Sequence, residues 1–380
     1  MLTSAHSPFQ TPDSADFPLH NIREIAQGPL RHQVDDIDRG IYPADLLRRL
    51  VATGATSAHL QAGPGPVNYG LTIQAIAEVS QVCGATGFLL WCHAVCGLYL
   101  EASGNPALTG EVLERHLSGD SLGGTGLSNP MKSYAGIESL LLKAEPVPGG
   151  YRVNGSLPWV SHLGPNQYCG AIAAVAVEGQ SADRELMFLL RCNAPGVELR
   201  SCPAFSGMEG TGTYGLRLTD VFVGPDDIIA DPAKPTILRI RGAFVLMQCG
   251  MALGVTQGAI NSMRVVEKSL GHVNRFLDDG PDSLQTELNA LSEQVLKLAH
   301  TPFDPAPTYL IEVLEVRARG SELALKAAQA ALLHQGARGY LMSSDVQRRV
   351  RESHFVAIVT PAIKHLRKEI HRLRTEAAAS

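Results

Sequence analysis

Between Asp120 and Val223 the hydrophobic pattern changes from the period of a helix to that of a strand, and nothing else in the chain restricts its fold as much. The segment opens on a Gly-rich loop, Leu122 to Pro130, followed by an alternating apolar run from Ile137 to Lys143. A turn-forming stretch, Pro146 to Gly150, leads into Tyr151–Ser161, whose Asn154-Gly155 pair suits a tight hairpin turn. Further strand-like runs come at Ala171–Val177, Leu186–Arg191 and Leu216–Val223. Short strands at this spacing predict a small barrel or sandwich. Long helical patterns lie on both sides, so the expected fold is α+β: helical residues 17–119, a β module over 120–230, and a helical bundle over 236–375.

The flanking patterns are specific enough to place helices. After a frayed tail to about Asp16, the spacing predicts helices over Ile22–Gln33, Pro43–Thr53 and Leu71–Val82, and a short one over Thr109–Leu117. Gly84–Glu101 is apolar all round, which predicts a buried helix. Beyond a linker at Asp231–Pro235, four long patterns predict a four-helix bundle: Ile237–Ser269, Leu284–Ala299, Tyr309–Gln335 and Asp345–Leu373. Gly250, Ala252, Gly254 and Gly258 lie on one stretch of the first of these and permit close helix approach.

Composition narrows the partners. With 45% hydrophobic residues in 380 there is ample core, and a net charge of −5 argues against nucleic acid. No apolar run reaches ~18 residues without a charge or breaker, which predicts no membrane span. Polar residues from Met1 to Phe17 give no secretory signal, so a cytoplasmic protein is expected. Seven scattered cysteines read as free thiols in a reducing compartment, and no cluster has metal-ligand spacing.

Tyr151-x-Val153-Asn154-Gly155 with Trp159-Val160-Ser161, followed by Gly207, Thr211-x-Thr213 and Leu218 to Pro225, resembles the middle domain of the acyl-CoA dehydrogenase family of flavoproteins. The resemblance reaches Ile37–Pro43 upstream, and Gly336–Tyr340 and Val346–Glu352 downstream. It implies a flavin oxidoreductase holding FAD, with FMN as the alternative, and acting on an acyl-CoA-like or other small-molecule substrate. By position, Thr125, Leu127 and Ser128 match the loop that contacts the flavin ring. Trp159 matches the aromatic that packs against the isoalloxazine, and Ser161 the hydroxyl that bonds near N5. Gly336 and Gly339 match the loop touching the adenine half of FAD from a neighbouring subunit. Where the family's Arg-x-x-Phe-Gly grips the FAD pyrophosphate from a partner subunit, this chain has Glu267-Lys268-Ser269-Leu270-Gly271, and Lys268 is the residue that replaces the charge. The bundle is implied to form a homodimer or homotetramer, with an electron-transfer flavoprotein or a flavin reductase as redox partner. The helix carrying His93 is implied to approach the substrate cavity. The Gly-rich loop itself has neither the strand before it nor the long helix after it that a Rossmann site needs.

Two departures bear on the reaction. The family's catalytic Glu occupies one of two positions, which here are Thr360 and Phe244, and no Asp or Glu occurs over 353–368 or 232–266. The Gly-Ser-Asp that helps hold acyl-CoA is replaced by the shortened Met131–Tyr134. Three readings follow: a dehydrogenase-like enzyme whose proton goes to another group, a monooxygenase using reduced flavin and O2, or a flavin-binding homologue without catalysis. His93, Ser161 and Thr360 are the catalytic candidates, with His354 a further one for the monooxygenase. Their plainer readings are a satisfied core histidine for His93, a turn residue for Ser128 and a core or interface aromatic for Trp159. His354 and His365 read as helix-surface histidines.

Overall fold

The computed structural model describes residues 17–175 and 184–379. The tail expected to fray up to Asp16 lies outside the described residues, as do the last two positions of the Ala171–Val177 run.

The chain begins with α1 (Phe17–Ile25), α2 (Arg31–Asp38), α3 (Ala44–Val51), α4 (Tyr69–Ser80), α5 (Gly84–Ala102) and α6 (Leu113–Ser118). A π-helical turn containing Pro29 separates α1 from α2, so the helix expected over Ile22–Gln33 is interrupted. Asn68 caps α4 by accepting from the Leu71 N–H. Every residue of α5 from Gly84 to Leu100 is buried, as its unbroken apolar surface requires.

The middle of the chain forms β1 (Gly123–Thr125), a short α7 (Ser128–Tyr134), β2 (Leu142–Val147), β3 (Gly150–Val160), β4 (Tyr168–Val175), β5 (Arg184–Arg191), β6 (Val197–Ser201), β7 (Tyr214–Val223) and β8 (Ile228–Ala230). The strands run in the order β6-β7-β3-β2-β4-β5-β8, with β1 added against β4. Pairing is antiparallel except for β1 with β4 and β2 with β4. Asn154-Gly155 is not a hairpin turn. The β2–β3 turn lies at Pro148-Gly149, where Gly149 has φ +83°, and Asn154-Gly155 falls at a bulge inside β3. Gly155 has φ +133°, and a Cβ there would lie 2.4 Å from the Leu141 carbonyl oxygen. Asn154 instead bonds reciprocally with Asp220 across the β3–β7 pair.

Alternation along β4 and β5 joins the modules. Cys169, Ala171, Phe188 and Leu190 face the core enclosed by the sheet, while Ile172, Met187 and Leu189 face the helices. Both faces of these strands are therefore buried, which is why they read as continuous apolar runs.

Five helices follow β8 in the described residues: α8 (Ala233–Asn274), α9 (Pro281–Leu298), α10 (Pro307–Gln335), α11 (Asp345–Ile358) and α12 (Ile363–Ala379). The single helix expected over Asp345–Leu373 is split, because Pro361 lacks an N–H and its ring clashes with the preceding turn. The 42-residue α8 crosses close to α4: a Cβ at Gly254 would lie 2.3 Å from the Ala77 carbonyl oxygen, and one at Gly250 2.6 Å from that of Ile73. Both α5 and α8 prove long and apolar enough to cross a membrane. Their most apolar windows are 89% and 100% buried in the protein, so here they serve as core helices.

Candidate functional site

The Gly-rich loop is held between three elements. Gly126 donates to the Gly170 carbonyl at 2.8 Å, and a Cβ at Gly124 would come within 2.6 Å of the Ser161 carbonyl oxygen. This close approach sets the start of the loop that carries Thr125, Leu127 and Ser128 against the backbone of Ser161. Leu127 is buried, and the Thr125 hydroxyl meets Tyr99 of α5 at 2.9 Å.

From the other side comes the break between α11 and α12. Thr360 Oγ1 lies 2.9 Å from Ser128 Oγ, and the Thr360 carbonyl accepts from Gln248 Nε2 at 2.9 Å. Gln248 in turn accepts from Arg317 Nε at 3.0 Å. Arg317 is fully buried, donates also to the Val356 carbonyl at 2.8 Å and to Ser321, and has its pKa lowered by burial to about 10. One turn before Gln248, Phe244 packs edge-on against Trp91 with centroids 5.0 Å apart, and the Trp91 ring N–H donates to the Phe244 carbonyl. Neither Thr360 nor Phe244 has a side chain able to take a proton at neutral pH.

Trp159 is no core aromatic. It is 63% exposed, sits at φ +54° in the left-handed region, and meets Phe205 edge-on at 6.3 Å. A bulky side chain held exposed on a strained backbone is a feature that clusters at ligand sites. Beside it Ser161 Oγ lies 2.7 Å from Thr213 Oγ1, which lies 2.8 Å from Thr211 Oγ1, and Thr211 donates to the Met208 carbonyl at 2.7 Å. Each hydroxyl carries one proton. Thr211 spends its proton on a carbonyl, so Thr213 donates to Thr211 and Ser161 donates to Thr213. Ser161 is left with lone pairs only and accepts from whatever lies against it.

His93 is placed differently. Its Nε2 donates to the His116 carbonyl, its Nδ1 accepts from the Gly123 N–H, and its ring stacks on His116 at 3.7 Å. Both ring nitrogens are thus committed inside the protein. His116 donates back to the His93 carbonyl and accepts from Tyr168, while His162 bonds Tyr42 through Nδ1 and leaves Nε2 unpartnered. Burial lowers all of these histidines and His59: His116 to about 4, His59 and His162 to about 3, and His93 well below the usual value. Lys268, exposed on α8, and Gly336 and Gly339, in the turn after α10, belong to a separate region. There Asn274 at the end of α8 donates to the His334 carbonyl near the end of α10.

Next to the Ser128–Thr360 contact lies a cavity of about 480 Å³. Met131, one turn beyond Ser128, and Pro361, next to Thr360, form part of its wall. Tyr134, Arg241, His365 and Glu369 also line it. Tyr134 OH, His365 Nδ1 and Glu369 Oε1 are buried without a hydrogen-bond partner. His365 is therefore not a surface histidine: it is 6% exposed, and burial lowers its pKa. The break at Pro361 resets the rotational phase of α12 and turns this residue inward, which a pattern read straight through the proline misses. His354 is exposed, as expected. Helix α5, expected to approach the substrate cavity, supplies none of the lining among the described residues.

An exposed aromatic wall and a ring of neutral hydroxyls suit an uncharged heteroaromatic ring, and proteins similar to this chain are flavin-dependent oxidoreductases. Residues 18–120 match the family described as "Acyl-CoA dehydrogenase, N-terminal domain". "Probable acyl-CoA dehydrogenase YngJ" of Bacillus subtilis is 22% identical over 364 residues, 89% of this chain and 91% of that protein. Butyryl-CoA dehydrogenase from Megasphaera elsdenii superposes with a TM-score of 0.84 at 18% identity, over 96% of this chain and 98% of its own. Dibenzothiophene monooxygenase from Paenibacillus sp. superposes at 0.78 and 15% identity, over 93% and 96%. The chain is thus similar in sequence to acyl-CoA dehydrogenases over most of its length, and it shares its fold with them and with a monooxygenase.

Proposed function

We propose that this chain holds a flavin against Trp159 and Ser161 and oxygenates a small organic substrate with reduced flavin and O2. The observation that carries this reading is the pair of side chains at the family's base positions. Thr360 is tied to Ser128 and Phe244 to Trp91, so the carboxylate that would take a thioester α-proton is missing from both. The acceptor face of Ser161 supports it further, since a ring N–H is present at N5 only in the reduced flavin. Bound reduced flavin supplies the two electrons with which one oxygen atom enters the substrate and the other leaves as water.

The chain's own residues bind and orient. Trp159 offers a flat wall, Ser161 accepts a hydrogen bond, and the Thr125–Ser128 loop closes the pyrimidine side. The Gly336–Gly339 turn and Lys268 serve the adenine and pyrophosphate of FAD, across subunits of a homodimer or homotetramer. A flavin reductase is the partner this chemistry requires. The test is to load the protein with FAD, reduce it anaerobically, admit ¹⁸O₂ with candidate substrates, and run butyryl-CoA beside them. Label in the product supports the reading, and rapid anaerobic bleaching of oxidised flavin by butyryl-CoA overturns it.

One observation favours a second reading. Glu369 Oε1 is unpaired at the cavity wall and is a carboxylate outside the family's usual positions. A dehydrogenase using Glu369 as base would show anaerobic flavin bleaching that Glu369→Gln abolishes.

A further inference from the structure

The cavity beside Thr360 has features an acyl-chain tunnel does not need. Arg241, on α8, makes no hydrogen bond or ion pair among the described residues; burial and the neighbouring Arg372 lower its pKa, and the nearby Glu369 offsets them only in part. Glu369 does not neutralise it by contact, because its Oε2 is held by Arg372 at 3.0 Å. A half-buried, unpaired guanidinium is a fork awaiting a planar anion. Around the same cavity the Tyr134 hydroxyl, His365 Nδ1 and Glu369 Oε1 have no partner. Unpaired buried polar groups are rare in folded proteins, and three around one cavity are hydrogen-bonding capacity held for a ligand. The rest of the wall is mixed: Met131, Ile237, Val245, Leu310 and Leu314 give it an apolar stretch, while Ser133, Glu185, Lys234 and Arg372 are polar or charged.

The position of the charge separates two ligand classes. Arg241 precedes Gln248 by seven residues on α8, about 10 Å of helix, and Gln248 holds the Thr360 carbonyl. A ligand reaching from the guanidinium to the Thr360 region thus carries its negative charge close to its reacting carbon. In a CoA thioester the whole pantetheine arm separates that carbon from the first phosphate. Lys234, exposed at the cavity's edge, adds positive charge where an anion would enter.

We propose that this cavity binds a small free organic acid, with its carboxylate on Arg241, an apolar ring or short chain along α8 and α10, and one further polar group toward Tyr134, His365 and Glu369. The proposal rests on the reading of this cavity as the substrate site of the flavin enzyme. Its test is binding without turnover, so it stands or falls separately from oxygenation.

The flavin-loaded protein is titrated calorimetrically with 4-hydroxybenzoate, its methyl ester and 4-hydroxybenzoyl-CoA. The free acid is expected to bind at least tenfold more tightly than the ester. Arg241→Leu should weaken the acid about ten- to a hundredfold, as loss of a charge-assisted hydrogen bond does, and leave the ester unchanged. Arg241→Lys keeps the charge without the fork and should fall between the two. Flavin occupancy and Tm confirm that each variant is folded; if Arg241→Leu is not, the acid-to-ester ratio in native protein and Arg241→Lys decides. Equal affinity for acid and ester, equal losses of both in the variants, tighter binding of the CoA thioester, or binding of none of the three overturns the proposal.

Discussion

Ser128 and Thr360 stand 232 positions apart and share a hydrogen bond of 2.9 Å between their hydroxyl oxygens. One opens α7 and the other fills the break between α11 and α12, so the contact joins the Gly-rich loop to the C-terminal helices. Under the proposed function, this contact takes the place of a carboxylate base.

Thr360→Glu therefore tests whether only a base is missing. The expected outcome, on the proposal that the cavity takes a small free acid, is that neither native protein nor variant bleaches its flavin with butyryl-CoA, since Met131–Tyr134 is also folded as part of α7. A general base contributes roughly 10²–10⁴-fold. A gain of that size on installing the carboxylate would show that CoA esters already bind productively, and would reject the small-acid reading.

Trp159→Ala separates a ligand-facing aromatic from a structural one. Removing a buried aromatic costs about 3–5 kcal/mol of stability, but Trp159 is 63% exposed and should cost little. Its stacking on a ring is worth about 0.5–1.5 kcal/mol, so flavin affinity should fall roughly two- to tenfold. Fluorescence titration of apoprotein with FAD, with a urea midpoint for stability, checks both halves. A large stability loss with unchanged affinity contradicts the placement.

Thr211→Val reverses the polarity of the hydroxyl chain. With Thr211 unable to accept, Thr213 can donate to Ser161, and Ser161 can then donate to the ring. Donation at N5 favours oxidised over reduced flavin, so the midpoint potential should become more negative. A neutral hydrogen bond is worth about 1 kcal/mol, which for two electrons is on the order of 20 mV. Spectroelectrochemical titration reads the shift, and a positive one would refute the assigned donor order.

Acid should unfold the protein through its buried histidines. His59, His116 and His162 have folded pKa values of about 3, 4 and 3, against about 6.5 when unfolded. Between those limits the unfolded state binds more protons, so stability is fully present above about pH 6.5 and falls as pH drops toward 3–4. Each histidine contributes a slope of about 1.4 kcal/mol per pH unit within its window. Urea midpoints at pH 7.5, 6 and 5 should decline accordingly. His162→Asn should flatten the decline, since asparagine tolerates the φ of +65° found there and does not titrate. An unchanged slope would mean that His162 is not the buried neutral group described.

Local pattern in the sequence was enough for the order of helical, β and helical segments, the burial of α5 and a close helix approach along the small residues of α8. These depend on periods of 2 or 3.6 residues and on close approaches that only glycine or alanine permits, all of which a single stretch of chain displays. What faces the cavity does not show in that way. Tyr134, Arg241, His365 and Glu369 come from α7, α8 and α12, and their inward direction depends on the crossing of α8 and on the change of phase at Pro361. The same holds for the Asn154-Gly155 bulge, where the short-range preference for a turn yields to β3 pairing with β2 on one side and β7 on the other. Ser161 becomes an acceptor only because Thr211, fifty residues later, is folded against the Met208 carbonyl. Hydrogen-bond direction and unpaired charge are properties of a complete packing arrangement, and for this protein the tertiary structure alone decides them.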